Sequence, residues 1–190
     1  LAAAAPGIRV EGRSIPPFVI LADDAIPAEQ TAADELASTL QVATGATFRR
    51  LKESEAGSNP SGYFVGPTRW ADANGVNARG LGEEEWLIRS VKGGAVLLGG
   101  RPRGTLYAVY RFLEDQLGVR WWTPFEEHVP ANVSLELAAL NRRGKPAFEY
   151  RDIYMLYGKD EGRFAARNRL NRDGDSPLGG KYGGGPTFGP

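Results

Sequence analysis

GGRPRGTLYAVYRFLEDQLGVRWWTP, Gly99 to Pro124, is the stretch whose reading decides the fold. It follows the apolar run AVLL and opens a helix. Leu106, Val109, Tyr110, Leu113 and Leu117 recur at i, i+3, i+4, i+7 and i+11, so they share one face, while Arg111, Glu114 and Asp115 point away. The pattern predicts a helix over 104–117, stopped by Gly118. Gly99, Gly104 and Thr105 imitate the spacing of a phosphate-binding loop, but no lysine stands between Gly104 and Thr105. Arg101 and Arg103 could attract an anion to the helix start, whereas Pro102 removes one backbone donor. The loop therefore reads as a joint between a strand and a helix, with the phosphate cradle as the weaker alternative.

Outward from this stretch the pattern continues. EEEWLIRSVKGGAVLLGG places two β-prone runs around Lys92-Gly93-Gly94, a hairpin whose glycines supply positive φ. Upstream, Phe18–Leu21 forms a short apolar strand, and Pro27 suits the first turn of a helix. Ala33, Leu36, Leu40 and Ala43 line one face of that helix, and Gly45 ends it. TFRRL and Tyr63–Val65 read as two more strands, separated by the polar turn-forming run ESEAGSNPSG. VRWWTPFEEHVP predicts a strand followed by a Pro-bounded turn, and VSLEL one more short strand. The order β-α-β-β-β-β-α-β predicts an α+β fold: a mostly antiparallel or mixed sheet with two main helices packed on one face.

Composition narrows the function. The 190 residues carry 23 Lys or Arg and 23 Asp or Glu, so no net charge supports a dedicated nucleic-acid binder. There are no cysteines, which excludes disulfides, thiolate metal sites and a cysteine nucleophile. His128 is the one histidine, so a histidine-rich zinc site is excluded as well. No run approaches the roughly 20 apolar residues of a membrane span. Neither a cofactor nor a metal is expected.

Three segments follow. LAAAAPG opens the chain like the end of a signal peptide or an expression scar, so residues 1–6 fall outside the expected fold and export, periplasmic or extracellular, is the expectation. Residues 7–145 form the α/β domain. After Lys145 the character changes: PAFEYRDIYML reads as a fresh strand, EGRFAARNRLNR as a helix, and the rest is rich in glycine and proline. Residues 146–190 therefore read as the start of a second domain that the chain does not finish. As an orphaned start, they are expected to lack partners for their apolar groups.

Candidate chemistry is sparse. Asp23-Asp24, Glu83–Glu85, Glu126-Glu127 and Asp160-Glu161 are adjacent carboxylates, whereas glycoside hydrolysis needs two carboxyls across a sugar ring. They read as solvated surface or helix starts. NRDGDS, 171–176, lacks the glycine and glutamate of a calcium loop, because Ser176 and Tyr182 stand at those positions; Asp173 and Asp175 are left as a weak cation site. Trp121, Trp122, Phe125 and Tyr107 could stack on sugar rings, although such spacing more often serves packing. Asn132-Val133-Ser134 matches a glycosylation sequon.

Together LGGRPRGTLYAVYRFLEDQLGVRWWTP and PAFEYRDIYM, with EQTAADELASTLQVATG and FVGPT earlier in the same order, resemble the accessory α/β domain that precedes the catalytic barrel in certain glycoside hydrolases. β-N-Acetylhexosaminidases and α-glucuronidases are among them. The resemblance spans residues 8–145, with the first barrel strand after it. It implies a non-catalytic domain packed beside a (β/α)8 barrel, whose carboxylates lie on later strands. In hexosaminidases the first barrel strand carries a sugar-binding arginine in a pattern resembling R-G-x-x-x-D. Arg151 matches the arginine, while Asp152 and Leu156 replace the glycine and the aspartate. The expected site residues are thus Arg151, by resemblance, with Trp121 and Trp122; no catalytic residue is expected. The expected function is an accessory domain supporting a downstream catalytic barrel of the same polypeptide. The alternative is a free-standing carbohydrate-binding module that stacks glycans on Trp70, Trp86, Trp121 or Trp122.

Overall fold

The computed structural model describes residues 8–131, 134–153, 161–171 and 180–184. The expectations for residues 1–6, for Asn132-Val133, for Leu156, for Asp160 and for Asp173–Asp175 lie outside the described residues.

The strands are β1 (Ile8–Val10), β2 (Arg13–Ser14), β3 (Phe18–Leu21), β4 (Arg49–Lys52), β5 (Gly62–Val65), β6 (Trp86–Val91), β7 (Gly94–Gly99), β8 (Arg120–Thr123), β9 (Glu126–His128), β10 (Leu135–Leu137) and β11 (Asn141–Gly144). The helices are α1 (Pro27–Thr44), α2 (Arg69–Ala73), α3 (Gly104–Phe112) and α4 (Glu161–Arg167). Six strands form the main sheet in the order β11-β6-β7-β5-β3-β4. The class is α+β and the sheet is mixed, as the sequence predicts. Strands β4, β3, β5 and β7 run parallel, because α1 carries the chain from β3 to β4 in a crossover. The hairpin β6–β7 and the returning β11 make the antiparallel half.

The two sheet faces explain why these strands read as unbroken apolar runs rather than alternating ones. Val19, Leu21, Tyr63, Val65, Ile88 and Leu97 face α1 and α3, where Leu36, Leu40, Leu106, Val109 and Phe112 complete the larger core. Ile20, Phe64, Leu87, Val96 and Leu98 face the other way and are covered by α2 and its flanking loops. Trp70 stacks on Phe64 with ring centroids 4.0 Å apart and an interplanar angle of 6°.

Local chemistry sets the helix ends. The Glu29 carboxylate reaches back to accept the Ile26 N–H at 2.9 Å, and Gly45 closes α1 at φ +75° while its N–H bonds to Gln41 O. The β6–β7 loop is Lys92-Gly93, with Val91 opposite Gly94 and Gly93 at φ +94°.

Several expectations need correction. The helix expected over 104–117 is α-helical only to Phe112, then turns once as a π-helix over Leu113–Leu117 before Gly118 at φ +77°. Strands β1, β2 and β11 and helix α2 are two to five residues long, too short to show a period in the sequence. The Pro-bounded turn after Thr123 returns as β9, giving a hairpin with a register shift at Trp121/Thr123. In the stretch expected as a fresh strand, residues 146–153 are not a strand. Finally, Ala165, Ala166 and Tyr182 are buried in the larger core, so this part of the tail does find partners within the chain.

Candidate functional site

The Gly99–Thr105 turn answers the first question the sequence raises. Its glycine donors are used inside the chain: Gly99 N–H reaches Thr105 Oγ1 at 3.1 Å, Gly100 N–H reaches Glu85 O at 3.0 Å, and Gly104 N–H reaches Glu83 O and Gly100 O, each at 2.8 Å. A Cβ on Gly100 would lie 2.0 Å from Gly82 O, and one on Gly104 would lie 2.2 Å from Glu85 O. The glycines permit close backbone contact with the loop that leads into β6. The turn is a joint.

In open sheets with parallel strands, ligands bind beyond the carboxyl ends of those strands. Here that edge is crossed by ion pairs. Arg101 Nε lies 2.9 Å from Glu29 Oε1, and Arg101 Nη1 lies 3.4 Å from Asp24 Oδ2. Arg69 joins Asp23 at 2.7 Å and Glu53 at 3.2 Å. Glu53 also accepts the N–H groups of Arg69 and Trp70, which cap α2. Ser54 donates through Oγ and N–H to Asp23 and, with Arg69 adding to the effect, holds its carboxyl below the ordinary range. The carboxylates that the sequence places here are bound to neighbours rather than set opposite each other across a cleft.

The most developed polar constellation joins the sheet domain to the segment after Lys145. Glu84 stands just before β6, and its Oε1 accepts from four groups: Arg151 Nη2 at 2.7 Å, Arg103 Nε at 3.0 Å, Tyr107 OH at 3.1 Å and Asn171 Nδ2 at 3.2 Å. Burial raises the Glu84 pKa, but Arg151 and Arg103 outweigh it and the net shift is downward. Tyr107, buried beside this carboxylate, is pushed up to about 12. A second carboxylate, Glu35 on α1, has a side chain only 6% exposed and takes both arginines of α4. Arg163 Nε approaches Glu35 Oε1 at 2.7 Å, and Arg167 Nη2 approaches Oε2 at 2.8 Å. Here too burial acts to raise the pKa, and Arg163 and Arg167 lower it overall. Arg167 extends further to Glu127 on β9 at 2.6 Å, with its guanidinium 5.3 Å from the centre of the Trp121 ring.

The expected site residues occupy three different settings. Arg151 is inside the Glu84 constellation, and its guanidinium also donates to the carbonyls of Phe148, Glu149 and Arg169. Trp121 is 6% exposed and packs edge-on against Tyr110, with ring centroids 5.4 Å apart. Trp122, on the opposite side of the hairpin strand, is 57% exposed and lies against His128. Trp86 is buried beneath Arg111, and Trp70 lies on Phe64. Sequence reading missed Glu35, Arg163, Arg167 and Asn171, and its reading of Glu84 as solvated surface or a helix start needs correction, because that side chain is 16% exposed and held by Arg103 and Arg151. One signal was available: Arg163 and Arg167 stand four apart, which puts both guanidinium groups on one helix face. Among the described residues, no group of three or more His, Asp or Glu side chains is arranged to hold a metal ion. No helix among them is long and apolar enough to cross a membrane.

No protein-family model matches the sequence, and no curated protein matches it. Solved structures do match. One is a family GH115 4-O-methyl-α-glucuronidase with specificity for decorated arabinogalactans, similar at a TM-score of 0.54 and 18% identity over 87% of this chain and 24% of that one. The chain thus spans about a quarter of the length of that enzyme. At this identity the likeness is one of fold: the chain has the fold of one part of a larger glycoside hydrolase.

Proposed function

We propose that this chain is the non-catalytic accessory domain of a carbohydrate-active, glycoside-hydrolase-like protein. Residues 7–145 form the domain, and residues 146–190 begin a catalytic barrel that it supports. The observation that carries the reading is the fold match, which takes in most of this chain and only a minor part of a glycosidase. Two further facts support it. The carboxylates at the edge where a ligand would bind are tied into ion pairs. The strongest polar contacts point instead toward the segment that follows the domain. The alanine-rich opening supports export of the whole protein.

Reading the natural gene past the codon for Pro190 tests this. A frame that continues for several hundred residues with repeated strand–helix units is the expected result. An immediate stop codon would overturn the reading.

The exposure of Trp122 favours a second reading, in which the chain binds glycans itself. Calorimetric titration with neutral oligosaccharides separates the two. A supporting domain shows no saturable heat; a binding module shows heat that disappears on Trp122→Ala.

A further inference from the structure

We propose that Glu35 and Glu84 form a two-point electrostatic latch that holds the segment after Lys145 on the sheet domain, and that this segment opens as a unit while the sheet stays folded. The inference concerns this chain's own mechanics and stands apart from the carbohydrate reading.

Three observations carry it. Among the described residues both ion partners of Glu35 come from α4, and none comes from the sheet domain. Glu84 takes two donors from its own domain, Arg103 and Tyr107, and two from the tail, Arg151 and Asn171. The apolar contribution of the tail is modest beside that of the sheet and its helices: Ala165, Ala166 and Tyr182 are buried in the larger core, and Phe164 and Leu170 pack partly buried against it. Docking of this segment therefore joins a modest apolar contact to ion pairs on two carboxylates, whereas α1 and α3 supply most of the larger core.

The surroundings fix the direction of the pH response. Facing Glu35 are Arg163 and Arg167 from α4 and Tyr110 from α3, with Tyr182 of the last described turn beside Tyr110 and Glu127 across the arginines. The Tyr110 hydroxyl is buried without a hydrogen-bond partner among the described residues, and burial pushes its pKa well above the usual tyrosine range. It stays neutral and leaves the arginines as the counter-charge. Facing Glu84 are Arg103, Arg151, Tyr107 and Asn171, with Glu83 3.7 Å from Arg103. Both carboxylates titrate below their unfolded values. Their stabilisation is therefore fully present above the ordinary glutamate pKa of about 4.3 and is lost as pH falls through the lower folded value. The latch holds at neutral pH and opens in acid.

The test uses the full chain and amide hydrogen exchange at neutral pH in Glu35→Gln, Glu84→Gln and Glu35→Asp. Glu35→Gln should lower protection within 161–167 by about tenfold or more, the loss expected when a charge-assisted hydrogen bond goes. Glu84→Gln should lower it most in 148–153 and at Asn171. Protection of β3, β5 and β7 should stay as in the wild type, and Glu35→Asp, which keeps the charge, should retain more α4 protection than Glu35→Gln. Unchanged α4 protection in Glu35→Gln, or equal loss across tail and sheet, would overturn the latch. If a variant does not fold, acid titration of the wild type followed by amide spectra decides: tail resonances must move to their open positions at a higher pH than those of the sheet. A single shared transition would overturn the proposal.

Discussion

The sheet domain and the segment that follows it adhere by different physics. Between α1, α3 and the six-stranded sheet the contacts are apolar: Leu36, Leu40, Leu97, Leu106 and Phe112 are fully enclosed. Between this body and the tail, the apolar contact is smaller, made by Ala165, Ala166, Tyr182 and the partly buried Phe164, and arginines close on two carboxylates. The first kind of contact is broad and tolerant of small shifts. The second depends on a few atoms, on charge and on register. The accessory domain proposed above calls for both, a body that holds its shape and a keyed contact that fixes the segment after Lys145 at one orientation.

Substitutions can sharpen or break this contrast. The largest effect is expected for Leu36→Ala in the apolar body, a loss of about 2–5 kcal/mol in urea unfolding, because the site cannot collapse around the missing atoms. A loss below about 1 kcal/mol would deny that burial holds the sheet. Arg167→Leu comes next. It removes one counter-charge from Glu35 and the bond to Glu127, with an expected loss of about 1.5–3 kcal/mol confined to the tail. Exchange of α4 amides should report this while the unfolding midpoint of the sheet stays in place; a shifted midpoint would mean the two regions are one cooperative unit.

Smaller still is Gly93→Ala in the β6–β7 loop, where φ is +94°. An expected loss of about 1–2 kcal/mol, measured by thermal unfolding, follows from placing a side chain in that backbone region. Least of all is Trp122→Ala, whose ring is exposed: stability should change by no more than about 0.5 kcal/mol. A large loss there would place the hairpin in the structural core after all.

The same contrast explains what the sequence revealed. Helix α1, helix α3 and strands β3, β5, β6 and β7 announce themselves because periodic apolar residues and glycine stops report burial directly. The Gly99–Thr105 turn was legible as a joint from its missing lysine, although the reason for its glycines, close approach to Gly82 O and Glu85 O, needs three-dimensional packing. The split between Trp121 and Trp122 follows from strand alternation, but which of them turns inward depends on the hairpin register. The ion network was hidden for a plainer reason. Glu35 and Arg167 are 132 residues apart, and nothing in the local pattern around either says that the other exists. Strand β11, with sequence NRRG, is likewise placed by its pairing with β6 rather than by its own residues.

The most direct test of a burial-held body with a charge-held tail is native-state hydrogen exchange of the wild-type chain across low urea concentrations. Two opening units are expected. Amides of α4 should exchange through an opening of lower free energy and weak urea dependence, and those of β3, β5 and β7 only through global unfolding. If α4 and the central strands exchange with the same free energy and the same urea dependence, the division drawn here is wrong.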